Sequence, residues 1–102
     1  WYRSRGLGDV YKRQLYHNYP NPFNPITTID YDIASDQFVK IIIYDVKGRI
    51  VNVLVNQYQK AGFKSIQWNG TDLNSKPVSG GMYIYSIQAG NFRQTKKMIL
   101  LK

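Results

Sequence analysis

Residues 18–33 read NYPNPFNPITTIDYDI, and they constrain the fold more than any other stretch. Three of the chain's four prolines stand here, Pro20, Pro22 and Pro25. Each proline fixes φ and lacks an N–H, and each pushes the residue before it toward extended geometry, so this segment is not helix. It then becomes a clean alternation, with Ile29, Tyr31 and Ile33 on one face and Thr28, Asp30 and Asp32 on the other. A period of two is a strand with one dry side. The sequence predicts a rigid extended arm that feeds an amphipathic strand, with the rest of the chain supplying the sheets they close against.

The remainder carries the same signal. A short strand is expected over 15–19. Residues 38–44 form a strong strand, with Val39, Ile41 and Ile43 on one side and Phe38, Lys40, Ile42 and Tyr44 on the other. With both faces largely apolar, it is expected to be central. Asp45, Val46, Lys47 and Gly48 make a tight turn, aspartate first and glycine where φ > 0 is required. Residues 49–55 return as the hairpin partner, and 56–62 are expected to be a crossing loop ended by Gly62. In 63–68, Ile66 and Trp68 share a face, and Trp68 is the candidate centre of the core. A polar loop over 69–81 leads to a strand over 82–88 with Tyr83, Tyr85 and Ile87 on one face. A hairpin turn at 89–91 precedes the last strand, 92–101.

Helix formers are scarce: there is no glutamate and only three alanines, against nine tyrosines and many isoleucines and valines. A chain of 102 residues suffices for one core. Six or seven short strands at spacings of about 10 residues predict an all-β antiparallel sandwich of immunoglobulin or fibronectin type III character. An OB-type barrel is the alternative. The absence of cysteine excludes disulfides, a thiol nucleophile and cysteine metal sites. No apolar run approaches the roughly 18 residues of a membrane helix.

The formal charge is +8, of which the cations of 1–14 (Arg3, Arg5, Lys12, Arg13 against Asp9) contribute +3. The remaining cations are scattered along the strands and turns, so they read as solvated faces, and no nucleic-acid partner is expected. Residues 1–14 show neither alternation nor a helical stripe. They are expected to be a disordered, non-native leader, and GLGDVYKRQ resembles translated sequencing adapter. The chain opens on Trp1, shows no signal-peptide pattern and reads as the tail of a longer protein, with its native domain over 15–102.

Catalytic chemistry is thin. His17 is the single histidine and has no carboxylate at short spacing. Ser79, Gly80 and Gly81 lack the preceding strand that a nucleophile elbow needs. Asp72 and Asn74 give a faint Asp-x-Asn pattern, read as a turn held by side-chain hydrogen bonds rather than a calcium loop. No enzyme and no cofactor are expected.

Five ordered blocks carry a resemblance: NYPNPFNPITTIDYDI, VKIIIYDVKGRIV, AGFKSIQWNGTD, PVSGGMYIYSIQAG and TKKMILLK. Over 15–102 the chain resembles the C-terminal sorting domain of the type IX (Por) secretion system and the related immunoglobulin-like domain of flagellar hook-capping proteins. It departs from the pattern at Phe63 and Asn69, where a small or polar residue, often aspartate, is expected.

The resemblance implies an address. Such domains end large exported proteins of Bacteroidetes and related phyla. The cargo fused ahead reaches the periplasm by a signal peptide, and the outer-membrane translocon recognises the folded domain. A sortase often removes it, leaving cargo at the cell surface or in the medium. Carried over by motif, translocon recognition falls on Thr95, Lys96, Lys97, Met98, Ile99, Leu100, Leu101 and Lys102. Structural support falls on Asn18, Tyr19, Pro20, Asn21, Pro22, Phe23, Asn24 and Pro25, and on Tyr44, Asp45, Gly48, Arg49, Trp68, Gly70, Gly80 and Tyr83. A terminal edge strand with lysines before an apolar end suits reading by strand addition. The alternative is a structural or adhesive module of the hook-capping type without a sorting role.

Overall fold

The computed structural model describes residues 14–102, so the leader expected over 1–14 lies outside the described residues except for Gln14. Seven strands follow in order: β1 (Gln14–Leu15), β2 (Thr27–Ile33), β3 (Gln37–Tyr44), β4 (Ile50–Gln59), β5 (Gly62–Trp68), β6 (Gly81–Ala89) and β7 (Phe92–Leu100). They form two sheets of antiparallel strands, β1-β2-β5 and β4-β3-β6-β7. This is the expected sandwich, in a three-on-four arrangement. Gln14, grouped with the leader by composition, pairs with Asp32 in β1.

The alternation places the core. Ile29, Tyr31 and Ile33 of β2 face Val39, Ile41 and Ile43 of β3, with Tyr83, Tyr85 and Ile87 of β6 and Met98 and Leu100 of β7, all buried. Fully burying one such side chain is worth about 1.5–3 kcal/mol. β3 is central in its sheet, as expected, but not because both its faces are covered. Phe38 is 49% exposed on the face away from the core.

Two expectations change. Residues 56–62 are not a crossing loop: β4 continues to Gln59, with Asn56 opposite Lys40 and Tyr58 opposite Phe38. Only Lys60 and Ala61 remain to cross to β5. The polar run NQYQ hid this, because an edge strand exposed on its outer face tolerates polar residues at both alternations. The strand expected over 15–19 reduces to Gln14–Leu15 plus an isolated pairing of Tyr19 with Thr28.

The arm is not a straight feed. Tyr19 and Thr28 exchange two backbone hydrogen bonds, at 2.9 and 2.8 Å, closing residues 20–27 into a compact loop. Inside it, Thr27 Oγ1 donates to Pro20 O, and Asn18 Nδ2 donates to Thr27 Oγ1. Its X–Pro bonds at Pro20, Pro22 and Pro25 are cis. The tip of this loop reaches across to the opposite sheet.

Candidate functional site

In an antiparallel pair, successive residues point their N–H and C=O alternately at the partner strand and away from it. β7 pairs with β6 without a register shift from Ala89↔Phe92 to Gly81↔Leu100, and it forms one edge of the four-stranded sheet. The outward groups near its end are taken by the arm. Phe23 N–H donates to Ile99 O at 3.0 Å, Leu101 N–H donates to Phe23 O at 2.8 Å, and Ile99 N–H donates to Asn21 Oδ1 at 3.0 Å. Phe23 thus pairs in parallel with Leu100.

Counting back in twos from Ile99, Lys97, Thr95 and Arg93 turn their N–H and C=O to the same outer edge. The arm stops before them. β1 reaches β7 through Gln94, whose Oε1 accepts from Leu15 N–H at 3.0 Å. The eight terminal residues singled out by the motif therefore split into two groups. Thr95 and Lys97 present open backbone and exposed side chains, and Lys96 between them turns half-buried toward the sandwich interior. Met98 and Leu100 are core, and the backbone of Ile99 and Leu101 is bound to the arm.

The arm has a buried anchor. Phe23 is 1% exposed, with its ring 5.7 Å from that of Trp68, which in turn lies edge-on to Tyr83 at 5.3 Å. Trp68 is buried, and its Nε1–H donates to Thr71 O at 2.9 Å. It joins the arm, β5 and β6 at one end of the core. Gly70 sits beneath at φ +73, where an added Cβ would lie 3.3 Å from Pro25 O and 3.5 Å from Leu100 Cδ2. Gly80 guards the other side of the terminus: a Cβ there would meet Leu100 O at 3.1 Å and Lys102 Cβ at 3.2 Å. Phe23, Trp68, Gly70, Gly80 and Tyr83, scattered in the motif, thus converge on the closing half of β7, whereas Asn18 bonds to Tyr85, Thr27 and Pro20. Pro22 and Asn24 remain exposed on the loop.

A linker closes the side of the sandwich between β1 and the arm. Tyr85 OH donates to Tyr16 O at 2.8 Å and accepts from Asn18 N–H at 2.8 Å. Burial pushes this phenol up to about 12. Tyr85 lies directly opposite Lys96. Tyr19 stays exposed, and its phenol is raised by hydrogen bonding to the Asp30 carboxylate and by its charge.

Tyr44, Asp45, Gly48 and Arg49 form the β3–β4 turn. Asp45 Oδ1 accepts from the N–H groups of Lys47 and Arg49, and its Oδ2 pairs with Arg49 Nε at 2.9 Å. The Arg49 backbone N–H, above all, holds the Asp45 carboxyl below its ordinary value. An open cleft of about 260 Å³ separates this turn from Ser79, Gly80 and Tyr83. Asp72 holds its own loop, its Oδ1 accepting from the N–H groups of Asn74 and Lys76, so the Asp-x-Asn pattern is a hydrogen-bonded turn. His17 is exposed on the linker. Arg93, which shares the open half of β7, lies outside the residues that the resemblance assigns to recognition; the period-two count from Ile99 brings it in.

A family model of secretion system C-terminal sorting domains matches residues 17–101. The chain belongs to that family. It is a non-catalytic sorting domain of the type IX system, and membership implies a fused cargo, recognition by the type IX machinery and secretion across the outer membrane. No curated protein sequence matches it.

Among solved structures, it is similar to dimeric latent PorU from Porphyromonas gingivalis, with a TM-score of 0.68 and 23% identity over 95% of this chain. It is also similar to PorZ, an essential surface component of the type IX secretion system of the same organism, at TM-score 0.59 and 17% identity over 88% of this chain. The sorting domain spans only 10% and 11% of those two chains. FlgD from P. aeruginosa shares the fold at TM-score 0.58 and 22% identity, over 74% of this chain and 64% of that one.

Proposed function

We propose that the outer-membrane translocon reads this sorting domain along the open half of β7, by adding a strand against Arg93, Thr95 and Lys97. The observation that carries this is the division of the β7 edge. The outward backbone of Ile99 and Leu101 is already bonded to Asn21 and Phe23, whereas the arm leaves that of Thr95 and Lys97 open. An edge strand with unpaired N–H and C=O groups is a template for another strand, and lysines on it are the usual guard against promiscuous pairing. Met98, Ile99, Leu100, Leu101 and Lys102 act beside it by holding the strand in register. The Asn-Pro arm is support for that register. The cargo lies N-terminal to the domain, a sortase removes the domain after passage, and the cargo ends at the cell surface or in the medium.

The test is a fusion of the chain behind a signal peptide and a fluorescent cargo, in a strain with a working type IX system. Deleting residues 98–102 does not separate address from fold, because Met98 and Leu100 are buried. Thr95→Pro does, since it removes only an outward N–H, and proline is tolerated on the open side of an edge strand. The expected result is delivery of the parent fusion to the surface or medium, and periplasmic retention of a folded Thr95→Pro fusion. Wild-type delivery of the Thr95→Pro fusion overturns the strand-addition reading. Periplasmic retention of the parent overturns the assignment of the address to this chain.

A further inference from the structure

The two outer faces of the sandwich differ in kind. Residues directly opposite in antiparallel strands share a face. The outer face of the four-stranded sheet can therefore be read in rows. One is Asn56–Lys40–Gln88–Arg93, with the exposed pair Tyr58–Phe38 on its far side, the next Val53–Ile42–Ser86–Thr95, the next Ile50–Tyr44–Ile84–Lys97, and the last Met82–Ile99. Below the first row the side chains are mostly apolar, and Ile50, Met82 and Ile99 are 52%, 42% and 40% exposed. The outer face of the other sheet carries Thr28, Asp30, Asp32, Ser65 and Gln67, and its exposed aromatic side chains, Phe63 with Tyr16 against its ring and Tyr19 opposite Thr28, stand among those aspartates. An open face of an antiparallel sheet is ordinarily polar, and a contiguous exposed apolar patch marks a contact surface.

Charge is segregated in the same way. Strands β3, β4, β6 and β7 contain Lys40, Arg93, Lys96 and Lys97 and no acidic residue. All the described aspartates, Asp30, Asp32, Asp36, Asp45 and Asp72, lie outside those four strands. Three of the cations are on the outer face, Arg93 and Lys97 along its β7 margin and Lys40 on β3 between Phe38 and Ile42.

We propose that this apolar face, basic along its β7 margin, is a second docking surface, occupied by an apolar patch with acidic residues beside it on the outer-membrane protein that takes the β7 edge. The proposal rests on the translocon reading above and adds a face to it. Arg93, Thr95 and Lys97 are common to both surfaces: their backbone opens on the edge and their side chains on the face. A strand added there would carry carboxylates opposite Arg93 and Lys97, since opposite charges across strands are favourable. Its parent protein would then continue over the apolar rows. At about 4.8 Å per strand and 3.3 Å per residue the face covers roughly 400–500 Å². That is more than half of the about 800 Å² per partner in a stable complex, and the edge adjoins it. Self-pairing through this face would bring Lys40, Arg93 and Lys97 toward like charges, which disfavours a second copy. A membrane surface is the poorer fit, because three dispersed cations on a flat sheet are neither a polybasic cluster nor an inserting amphipathic helix.

The experiment places a photo-crosslinking amino acid at Met82 or, as the opposite-face control, at Phe63, in the chain fused to a secreted reporter. Ile50→Asp/Met82→Asp and Phe63→Asp fusions are followed in parallel for export and for protease resistance in the periplasm. The expected result is a translocon adduct from position 82 and none from 63. Export should fall about tenfold for Ile50→Asp/Met82→Asp with the domain still protease-resistant, and be unchanged for Phe63→Asp. Equal adducts from both positions, adducts only with a second copy, or full export of the Ile50→Asp/Met82→Asp fusion each overturn the proposal. So does binding of the purified chain to phosphatidylglycerol vesicles that Ile50→Asp/Met82→Asp abolishes, with no protein adduct. A translocon adduct from position 82 combined with normal export of Thr95→Pro upholds the face and removes the edge, so the two readings fail separately.

Discussion

The two halves of β7 share a strand, a partner and a register, yet do different work. From Met98 on, Met98 and Leu100 are core, and the N–H and C=O of Ile99 and the N–H of Leu101 are bonded to the arm. From Arg93 to Lys97 the arm bonds none of the outward groups, and the side chains alternate between exposed and half-buried. What separates them is the point at which the Asn-Pro loop reaches the edge. An edge strand is a liability unless managed, and here the fold closes the apolar half and leaves the basic half open. Motif matching, which treats residues 95–102 as one signal, merges a structural clasp with the half proposed to be read.

The largest effects should come from the closing half. Phe23→Ala removes the anchor that stacks on Trp68 and is expected to cost about 3–5 kcal/mol, read as the midpoint of urea unfolding. Leu100→Ala, in the strand that anchor holds, is expected to cost about 2–5 kcal/mol. If either proves nearly neutral, the clasp is not what fixes the end of β7. Asn21→Ala leaves the Ile99 N–H without its acceptor and should cost about 1 kcal/mol. Hydrogen exchange at Ile99 should speed up with no change at Lys97, sharpening the boundary between the halves.

At that boundary, Tyr85 supplies a pH test. Its phenol is neutral in the fold and titrates at about 12 against an ordinary 10.0. A raised folded value means its contribution is complete below pH 10 and is lost as pH rises from 10 toward 12. Tyr85→Phe should lose about 1 kcal/mol at neutral pH, through its bonds to Tyr16 and Asn18, and the gap to wild type should narrow over that alkaline window. A gap that stays constant to pH 12 would remove the phenol from the clasp. The smallest effect belongs to the open half: Thr95→Ala should change stability by less than about 0.5 kcal/mol. A larger loss would mean that the open half is structural too.

Much of this was legible. The period-two pattern identified β2, β3 and β6 with their buried faces, because each has one face against the core and alternation is the direct record of that. The turn at Asp45 and Gly48 was equally readable, since Gly48 does take φ +83. The far half of β4 was not, because Asn56, Gln57 and Gln59 carry no apolar period on a strand that is exposed along one edge. Nor was the folding of the arm: prolines exclude helix and ladder donors, but they do not say where a chain turns back. The terminal residues were found by resemblance, and their division in two was invisible there, since lysine and methionine side chains say nothing of which backbone groups are occupied.

The sequence by itself determined the local geometry of this protein. Its prolines, β-branched residues and tyrosines allow strands and turns and little else, and their alternation decides which side of each strand is dry. Tertiary structure alone decided which edge and which face stay open. That depends on Asn21 and Phe23 meeting Ile99 and Leu101 some 78 residues away, and on cations from β3 and β7 sharing one outer face. Hydrogen bonds and charge patches between distant segments leave no periodic trace, because each partner's own neighbours in sequence are unaffected by the pairing.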